Sequence, residues 1–379
     1  MATHEDDPSN AGPDPQPSTR RPPGCLSRLA TFVGILLLLL LAYVFAWPSP
    51  VDPFAYEPPT PPEMTGVLAE NQRLRAATHI APGEILGPED VHVDDAGNVY
   101  GGTIDGRIMR VTPDDTLESF ANTGGRPLGM EMDADGNLIV ADAVKGLLSI
   151  DAEGDVTVLT TGAADVPFGF TDDLDIAGDG RIYFSDASDK FGVGEYLYDM
   201  LEARPHGRLL RYDPASGETK VLLDELYFAN GIAVAADDSF VLVNETYRYR
   251  VQRYWLTGPR AGEAEVFADN LPGFPDGISR GTDGGFWVAM FTVRNAQADS
   301  LHPRPWIKSV LAKLPRFLWP KPAPYGLVLK LDTDGQIVES LHDPGGQQVR
   351  EVTSVHQRGD VLYFGTLTGD RISRLELER

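Results

Sequence analysis

The chain has 379 residues, of which 42% are hydrophobic, so it is long enough and apolar enough to bury a large core. Its formal net charge is −24 and its pI is near 4.6, which argues against nucleic-acid binding because phosphates would be repelled. Zinc-finger, H-E-x-x-H and glycine-rich phosphate-loop motifs are missing from the sequence, which argues against those classes of site.

The N-terminus combines a polar tail with an apolar segment. Residues 1–28 are rich in Pro, Asp and Ser and are predicted to be a disordered cytoplasmic tail. Residues 29–47 are uncharged and long enough to cross a bilayer as a helix. Three basic residues precede the segment: Arg20, Arg21 and Arg28. The next is Arg73, so the positive-inside rule predicts a single-pass anchor with the rest of the chain outside the cytoplasm. A cleaved signal peptide is the alternative, since Val44 and Ala46 fit a small-residue cleavage pattern.

Residues 48–75 are predicted to be a proline-rich linker. Seven prolines between residues 48 and 63 favour a semi-rigid, extended spacer. Cys25, the only cysteine, lies in the tail, so the exported domain has no disulfide. Its stability must therefore come from packing, closure of the fold and metal.

Six similar hairpins, each a turn followed by an apolar strand, recur along residues 95–363. They read DAGNVY (95–100), ADGNLI (134–139), GDGRIY (178–183), ADDSFV (236–241), TDGGFW (282–287) and RGDVLY (358–363). A second strand motif follows each hairpin, so the sequence predicts six four-stranded units and an all-β, six-bladed β-propeller over residues 76–379. Residues 77–86 precede the first blade and are predicted to pair with residues 371–377, which would close the ring.

The first strand of every blade lines the axis of a propeller, so equivalent positions on the first strands converge. Counting back eleven residues from the end of each hairpin reaches six residues: Glu89, Leu128, Asp172, Asn230, Asp276 and Val352. Three are carboxylates and one is an amide, hard oxygen donors that suit Ca²⁺. The sequence thus predicts a Ca²⁺ site of Glu89, Asp172, Asn230 and Asp276. The alternative is that Asp and Asn merely begin strands after turns.

Two further aspartates directly follow ring residues: Asp90 and Asp173. Because successive strand residues point to opposite faces, they are not expected to serve the same cavity as Glu89 and Asp172. They are candidate ligands of a second, buried Ca²⁺, or they are turn-capping or solvated aspartates.

Other catalytic signals are weak. Ser279 matches G-x-S-x-G, but it lies on a predicted first strand and not on a strand-to-helix elbow. His92 and His356 lie near first strands and either face the cavity or are structural. Metal-assisted hydrolysis is therefore the main enzymatic option: Ca²⁺ would polarise an ester or lactone carbonyl and a neighbouring carboxylate would activate water.

Residues 294–321 break the acidic pattern, with six basic residues against Asp299. Apolar residues recur there at helical spacing and tryptophans flank them: Trp306, Ile307, Leu311, Leu314, Leu318 and Trp319. Pro315 argues against one continuous helix. The pattern indicates a membrane-surface contact or a lid over the channel, with an ordinary surface insertion as the alternative.

Long stretches of the chain resemble the strictosidine synthase-like family, including its membrane-anchored adipocyte branch. They are RPLGMEMDADGNLIVADAVKGLLSID (126–151), FTDDLDIAGDGRIYFSDAS (170–188), FANGIAVAADDSFVLVNETYRYRVQRYWLTGP (228–259), FPDGISRGTDGGFWVAM (274–290) and PRPWIKSVLAKL (303–314). More distantly the chain is similar to the paraoxonase and gluconolactonase (senescence marker protein 30) propellers, whose metal site matches Glu89, Asp172, Asn230 and Asp276.

The resemblance implies Ca²⁺-dependent hydrolysis of lactones or aryl esters, with Asp276 as ligand and base and Asp172 beside it as the second predicted catalytic carboxylate. Leu128 stands where paraoxonases carry a catalytic histidine, and Gly277 stands where an asparagine is usual. These departures keep a second class open, a non-catalytic extracytoplasmic binding or scaffold propeller with a structural Ca²⁺. Alkaloid condensation is not expected, since REVTSVH (350–356) offers no secure counterpart of the synthase glutamate.

Overall fold

The computed structural model describes residues 25–377. The apolar segment forms helix α1 (Cys25–Ala46), in which Arg28–Ala46 is long and apolar enough to cross a membrane. The compact remainder begins at Ser49. The predicted disordered tail lies, up to residue 24, outside the described residues.

Six four-stranded antiparallel sheets form the blades of a β-propeller. Blades one to three contain, in chain order, β2 (Val91–Val93), β3 (Val99–Gly102), β4 (Arg107–Val111), β5 (Leu117–Asn122), β6 (Pro127–Met132), β7 (Leu138–Asp142), β8 (Gly146–Ile150), β9 (Val156–Thr160), β12 (Thr171–Ile176), β13 (Ile182–Asp186), β14 (Gly207–Asp213) and β15 (Glu218–Leu226). A short hairpin of β10 (Gly162–Ala163) and β11 (Val166–Pro167) links blades two and three.

Blades four to six complete the ring and confirm the predicted fold. They contain β16 (Ala229–Val234), β17 (Phe240–Glu245), β18 (Arg250–Trp255), β19 (Ala264–Ala268), β20 (Gly273–Arg280), β21 (Phe286–Val293), β22 (Gly326–Leu331), β23 (Ile337–Asp343), β24 (Val352–Arg358), β25 (Val361–Thr366) and β26 (Ile372–Glu376). The core lies between neighbouring sheets: Leu242 of blade four packs in one cluster with Phe286 and Val288 of blade five.

The last blade is closed by a strand from the beginning of the domain. Strand β1 (Thr78–Ile80) pairs antiparallel with β26, with Thr78 opposite Arg374 and Ile80 opposite Ile372. The sequence-based expectation for residues 77–86 is thus confirmed for the paired part. Closure leaves no wide sheet edge between the first and last blades.

The expected proline-rich spacer packs on the propeller. Two short 3₁₀ turns are Gly66–Leu68 and Arg73–Ala76. The first buries Leu68 in the cluster between blades four and five, and the second buries Leu74 in the cluster between blades five and six. The backbone N–H of Phe54 also donates to the carbonyl oxygen of Glu202. The compact unit therefore begins at Ser49 rather than at residue 76.

Three short helices lie in the connections between the second and third strands of blades three and five. They are α2 (Tyr196–Glu202), α3 (Ala296–Leu301) and α4 (Pro305–Ala312). In an antiparallel blade this connection lies at the end where the first strand begins, so all three helices lie at one mouth of the channel. The break near Pro315 is confirmed. Trp319 is only 6% exposed and Lys308 is buried, whereas Trp306 is exposed, so only part of this segment faces outward.

Candidate functional site

A β-bulge holds the ring residue in each of five first strands. In β12, Thr171 pairs with Asp186 and Leu174 with Phe184, so Asp172 lies in an interruption of the ladder. The same shift surrounds Asn230 and Asp276. Because a bulge re-aims side chains, it turns these polar groups away from the sheet and toward the axis.

The register in blade six differs from the one expected. His356 pairs with Tyr363, seven residues later, whereas Asp175 and Tyr183 in blade three are eight residues apart. The shorter turn makes Thr353 the ring position, and counting eleven residues back to Val352 was wrong there. The Thr353 hydroxyl donates to the backbone oxygen of Glu89 at 2.5 Å and so ties blade six to blade one.

The four predicted ligands line one cavity. Its floor contains the polar groups of Glu89, Asp172, Asn230 and Asp276, each 3 to 7% exposed. The cavity has a volume of about 170 Å³. The structure thus brings together side chains that are up to 187 residues apart in the chain.

Burial and mutual repulsion dominate the electrostatics of this floor. Burial raises the pKa of Asp276 to about 8, although the hydrogen bond from Asn230 opposes the shift. Burial, reinforced by neighbouring carboxylates, also raises the pKa values of Glu89 and Asp172 well above their usual range. Three carboxylates that resist ionisation together are the environment that a divalent cation relieves, and a set of carboxylate and amide oxygens fits Ca²⁺.

Neighbouring strands fix the position of Asp276. Its Oδ1 accepts a hydrogen bond from Nδ2 of Asn230 at 2.8 Å. Its backbone oxygen accepts one from Nδ2 of Asn244, and the Thr246 hydroxyl donates to the backbone oxygen of Pro275. The carboxylate is therefore held from blade four, and its Oδ2 is the oxygen left for a ligand or a substrate.

Arg126 is a site residue that sequence reasoning missed. Its guanidinium lines the cavity, donates to the Gly87 backbone oxygen at 2.9 Å, and interacts electrostatically with Glu89 and Asp172. Its Nη2 is buried and has no hydrogen-bond partner among residues 25–377. The signal was its place two residues before the ring position Leu128, in the RPLGM segment.

The walls of the cavity are apolar and are provided in part by the helices at the mouth. Helix α2 contributes Tyr196, Leu197 and Met200, and the insertion after β21 contributes Ala298 and Pro320. The strands and the residues next to them add further apolar side chains: Leu128, Phe170, Phe228, Tyr247, Phe274 and Phe291. A polar floor under apolar walls binds a compact substrate with one reactive polar group.

Asp90 and Asp173 lie outside this cavity, as expected. Oδ2 of Asp90 accepts from the Met130 backbone N–H, and Oδ2 of Asp173 accepts from that of Ile232, both at 2.9 Å or less. Oδ1 of Asp173 accepts from the Leu174 N–H. Each aspartate thus ties its blade to the next, and a second Ca²⁺ between them remains a prediction.

The other candidate residues lie away from the floor. The Ser279 hydroxyl donates to the Val355 backbone oxygen at 2.5 Å, so it is engaged between blades five and six. His92 and His356 border a different cavity, toward the other end of the channel. The option that they face the carboxylate ring is therefore wrong.

Close approach of the neighbouring strand explains the glycine after the blade-five aspartate. A Cβ on Gly277 would lie 2.6 Å from the Thr353 backbone oxygen. A Cβ on Gly231 would lie 2.4 Å from the Asp276 backbone oxygen. An asparagine at position 277 would require blade six to move outward.

Family models match two parts of the chain. The model described as Strictosidine synthase matches residues 172–259, and the one described as Strictosidine synthase-like, N-terminal matches residues 66–111. Solved structures that share the fold include a gluconolactonase from Xanthomonas campestris, with a TM-score of 0.59 and 18% identity, covering 87% of this chain and 98% of that one. Regucalcin from Agrobacterium tumefaciens, described as a calcium-binding protein, gives a TM-score of 0.55 and 17% identity, covering 79% and 92%.

Sequence relatives cover most of the chain. The Adipocyte plasma membrane-associated protein of Rattus norvegicus is 36% identical over 371 residues, covering 90% of this chain and 97% of that protein. STRICTOSIDINE SYNTHASE-LIKE 4 of Arabidopsis thaliana is 36% identical over 334 residues, covering 84% and 86%. The chain belongs to the strictosidine synthase-like family, which includes the adipocyte plasma membrane-associated proteins.

Proposed function

We propose that the protein is a membrane-anchored, Ca²⁺-dependent hydrolase of lactones or aryl esters. The observation that carries the proposal is the convergence of three buried carboxylates and one amide on the floor of an apolar cavity. Structural neighbours named as a gluconolactonase and a calcium-binding regucalcin support it, since they share the propeller fold.

The ring residues would hold the cation. Glu89, Asp172 and Asp276 supply negative charge, and Asn230 supplies a neutral oxygen. When bound, Ca²⁺ polarises the carbonyl group of the substrate and stabilises the negative charge that develops on its oxygen.

Asp276 is the proposed general base. Its Oδ1 is held by Asn230, so Oδ2 takes a proton from the attacking water. The water oxygen then bonds to the acyl carbon, the ring or ester C–O bond breaks, and the proton passes to the departing oxygen. Asp172, on the same floor, is the second carboxylate that can hold this proton.

Arg126 is proposed to orient the acyl group. Its unsatisfied Nη2 borders the cavity, so it can donate to the acyl oxygen as charge grows there and to the carboxylate of the product. Arg126→Gln should therefore lower kcat by about 10²-fold, whereas Arg126→Lys, which keeps the charge, should lose less.

A non-catalytic propeller is the second candidate, and one observation favours it. Leu128 is 3% exposed and packs among Ala143 and Phe170, so the position of the paraoxonase histidine is part of an apolar cluster. In that case the cation would only stabilise the fold.

A substrate panel separates the two functions. Lactones, aryl esters and phosphotriesters would be assayed with the purified protein in Ca²⁺ and after chelation. We expect hydrolysis of at least one lactone or aryl ester that chelation abolishes and Ca²⁺ restores. Melting curves that respond to Ca²⁺ without any hydrolysis would instead support the non-catalytic propeller.

We also propose that the N-terminus is cytoplasmic and that the propeller lies outside. Arg20, Arg21 and Arg28 precede the apolar segment 29–47, and relatives are named as membrane-associated. Cys25, the only cysteine, gives a direct test: a membrane-impermeant thiol reagent should not label it in intact cells. A Cys25→Ser/Asp334→Cys variant, with its thiol on an exposed propeller turn, should be labelled. The reverse pattern would invert the topology.

A further inference from the structure

A second ring of side chains lies three residues beyond the carboxylate ring on the first strands. Its members are His92, Glu131, Asp175, Ala233, Ser279 and His356. Five of them pair with the last residue of their hairpin, whereas Ala233 pairs with Leu242, one residue beyond it. The bulges turn the side chains at these positions back toward the axis of the channel. The imidazoles of His92 and His356 and the carboxylate of Glu131 lie on blades one, six and two, which are neighbours where the ring closes.

His92, Glu131 and His356 approach one another closely. One ligand atom from each lies within 4.8 Å of the other two. Nδ1 of His92 is 3.5 Å from Oε2 of Glu131, and the two imidazole rings are 5.4 Å apart between centroids at 66°. Two imidazoles and one carboxylate therefore converge from three separate strands.

The polar atoms of His92 are not satisfied by the protein. The residue is 4% exposed, and neither ring nitrogen has a hydrogen-bond partner within the described residues. The 3.5 Å contact to Glu131 is at the outer limit of a hydrogen bond. A buried imidazole with two unpaired nitrogens aimed into a cluster of donors indicates a missing ligand.

Among the described residues no arginine forms an ion pair with Glu131, although Arg280 interacts with it electrostatically. Arg280 is 3.5 Å from Asp175, and Arg358 pairs with Asp95 at 2.6 Å.

We propose that His92, Glu131 and His356 bind a Zn²⁺ ion. Two histidines and one glutamate, with a fourth position open, match the donor types and number that zinc prefers. Zinc bonds of about 2.1 Å place tetrahedral ligands about 3.4 Å apart, so small side-chain rotations complete the site. Glu131, whose side chain is 28% exposed, has the freedom to make them.

The two ends of the channel would thus select different cations. The carboxylate ring offers only oxygen donors. The cluster of His92, Glu131 and His356 also offers imidazole nitrogen, which Ca²⁺ disfavours. The open position faces a cavity of about 620 Å³ that Tyr100, Arg110 and Arg358 also line. The ion would tie blades six, one and two together where the ring closes.

Metal titration of the full-length protein in detergent tests the proposal. After chelation, Zn²⁺ and Co²⁺ would be titrated in the presence of excess Ca²⁺. We expect one high-affinity Zn²⁺ per chain, visible d–d absorption from Co²⁺ at the same site, and a higher melting temperature with Zn²⁺. Glu131→Gln and His356→Gln should each weaken Zn²⁺ binding about 100-fold or more.

Two controls separate this site from the carboxylate ring and from general charge effects. Asp276→Asn should retain Zn²⁺ affinity, and so should Asp135→Asn, which removes an exposed carboxylate from a nearby turn. X-ray absorption at the zinc edge of the wild-type protein should show two imidazole ligands, a readout that does not depend on how the variants fold. Unchanged Zn²⁺ affinity in Glu131→Gln, or a wild-type spectrum without imidazole, would overturn the proposal.

Discussion

Nδ2 of Asn230 lies 2.8 Å from Oδ1 of Asp276 and joins blades four and five on the channel floor. The bond turns the amide so that its carbonyl oxygen is the polar atom left for a cation. It also opposes the rise in the pKa of Asp276 that burial causes. This neutral residue thus limits the repulsion among three carboxylates.

The variant Asn230→Asp tests how strongly repulsion among the ring carboxylates affects stability. A fourth buried carboxylate replaces a donor with a like charge, so the metal-free protein should lose about 1 to 3 kcal/mol of unfolding free energy at pH 8. Saturating Ca²⁺ should recover most of the loss. Chemical denaturation with and without chelator measures both quantities, with Asn122→Asp on the exposed surface as the matched control. Equal losses in the two variants would argue against charge crowding at the ring.

The affinity for Ca²⁺ should rise with pH up to about 8. The pKa of Asp276 is about 8 when folded, because of burial, against about 4 for an unfolded aspartate. The folded, metal-free protein keeps this proton between those values while the unfolded chain releases it, so metal-free stability falls as pH rises through that window.

Calorimetric titrations at pH 6, 7 and 8 measure the accompanying proton release. Because Ca²⁺ must displace the proton, each one released should change the apparent affinity by up to about tenfold per pH unit. An affinity independent of pH over this range would mean that the ring carboxylates are already ionised.

Hairpin spacing predicted the blades and most of the ring, because hairpins with turns of the same length hold their two strands in the same register. It failed in blade six, where a turn shorter by one residue moves the ring position to Thr353. Single-residue changes in turn length are invisible to a fixed count. Counting back eight residues instead of eleven would have reached Glu131, but the way in which the bulges re-aim side chains is a property of the folded strands.

Residues brought in by long connections were beyond sequence reasoning. The wall residues of helix α2 reach the cavity only in the closed ring. Burial of Trp319 against Tyr198, with ring centroids 5.7 Å apart, likewise depends on where α2 and the insertion meet. Helical periodicity described the insertion but did not decide which face is covered.

Closure by β1 should be required for stability. Deleting residues 76–86 removes the partner strand of β26 and the buried Ile80 and Ile85, so the protein should lose its cooperative melt. Circular dichroism during heating checks this. A melting transition unchanged from the wild type would contradict the role of β1 in closing the ring.

The exposed end of the insertion is proposed to contact anionic membranes. Trp306, Phe317 and Leu318 are 67%, 72% and 53% exposed, and Arg304 and Arg316 are exposed beside them. A chain starting at Ser49 should bind anionic vesicles in a salt-sensitive way, and replacing the three apolar residues with serine should abolish binding without lowering the melting temperature.

The matched control for that surface replaces three exposed valines elsewhere with serine. They are Val158, Val266 and Val338. This variant should bind vesicles as the unmodified chain does. If the chain from Ser49 ignores anionic vesicles at low salt, the insertion acts as a lid, consistent with the cavity wall that it provides.

Titration of Ca²⁺ into the metal-free wild-type protein and its Asp276→Asn variant at pH 8, followed by calorimetry, tests the central claim most directly. We expect one Ca²⁺ per chain at the ring and a loss of affinity of at least about tenfold in the variant, since one charged ligand of a buried set is removed. Asp334→Asn, on an exposed turn, should bind as the wild type does. Identical isotherms for wild type and Asp276→Asn would contradict a cation site at the carboxylate ring.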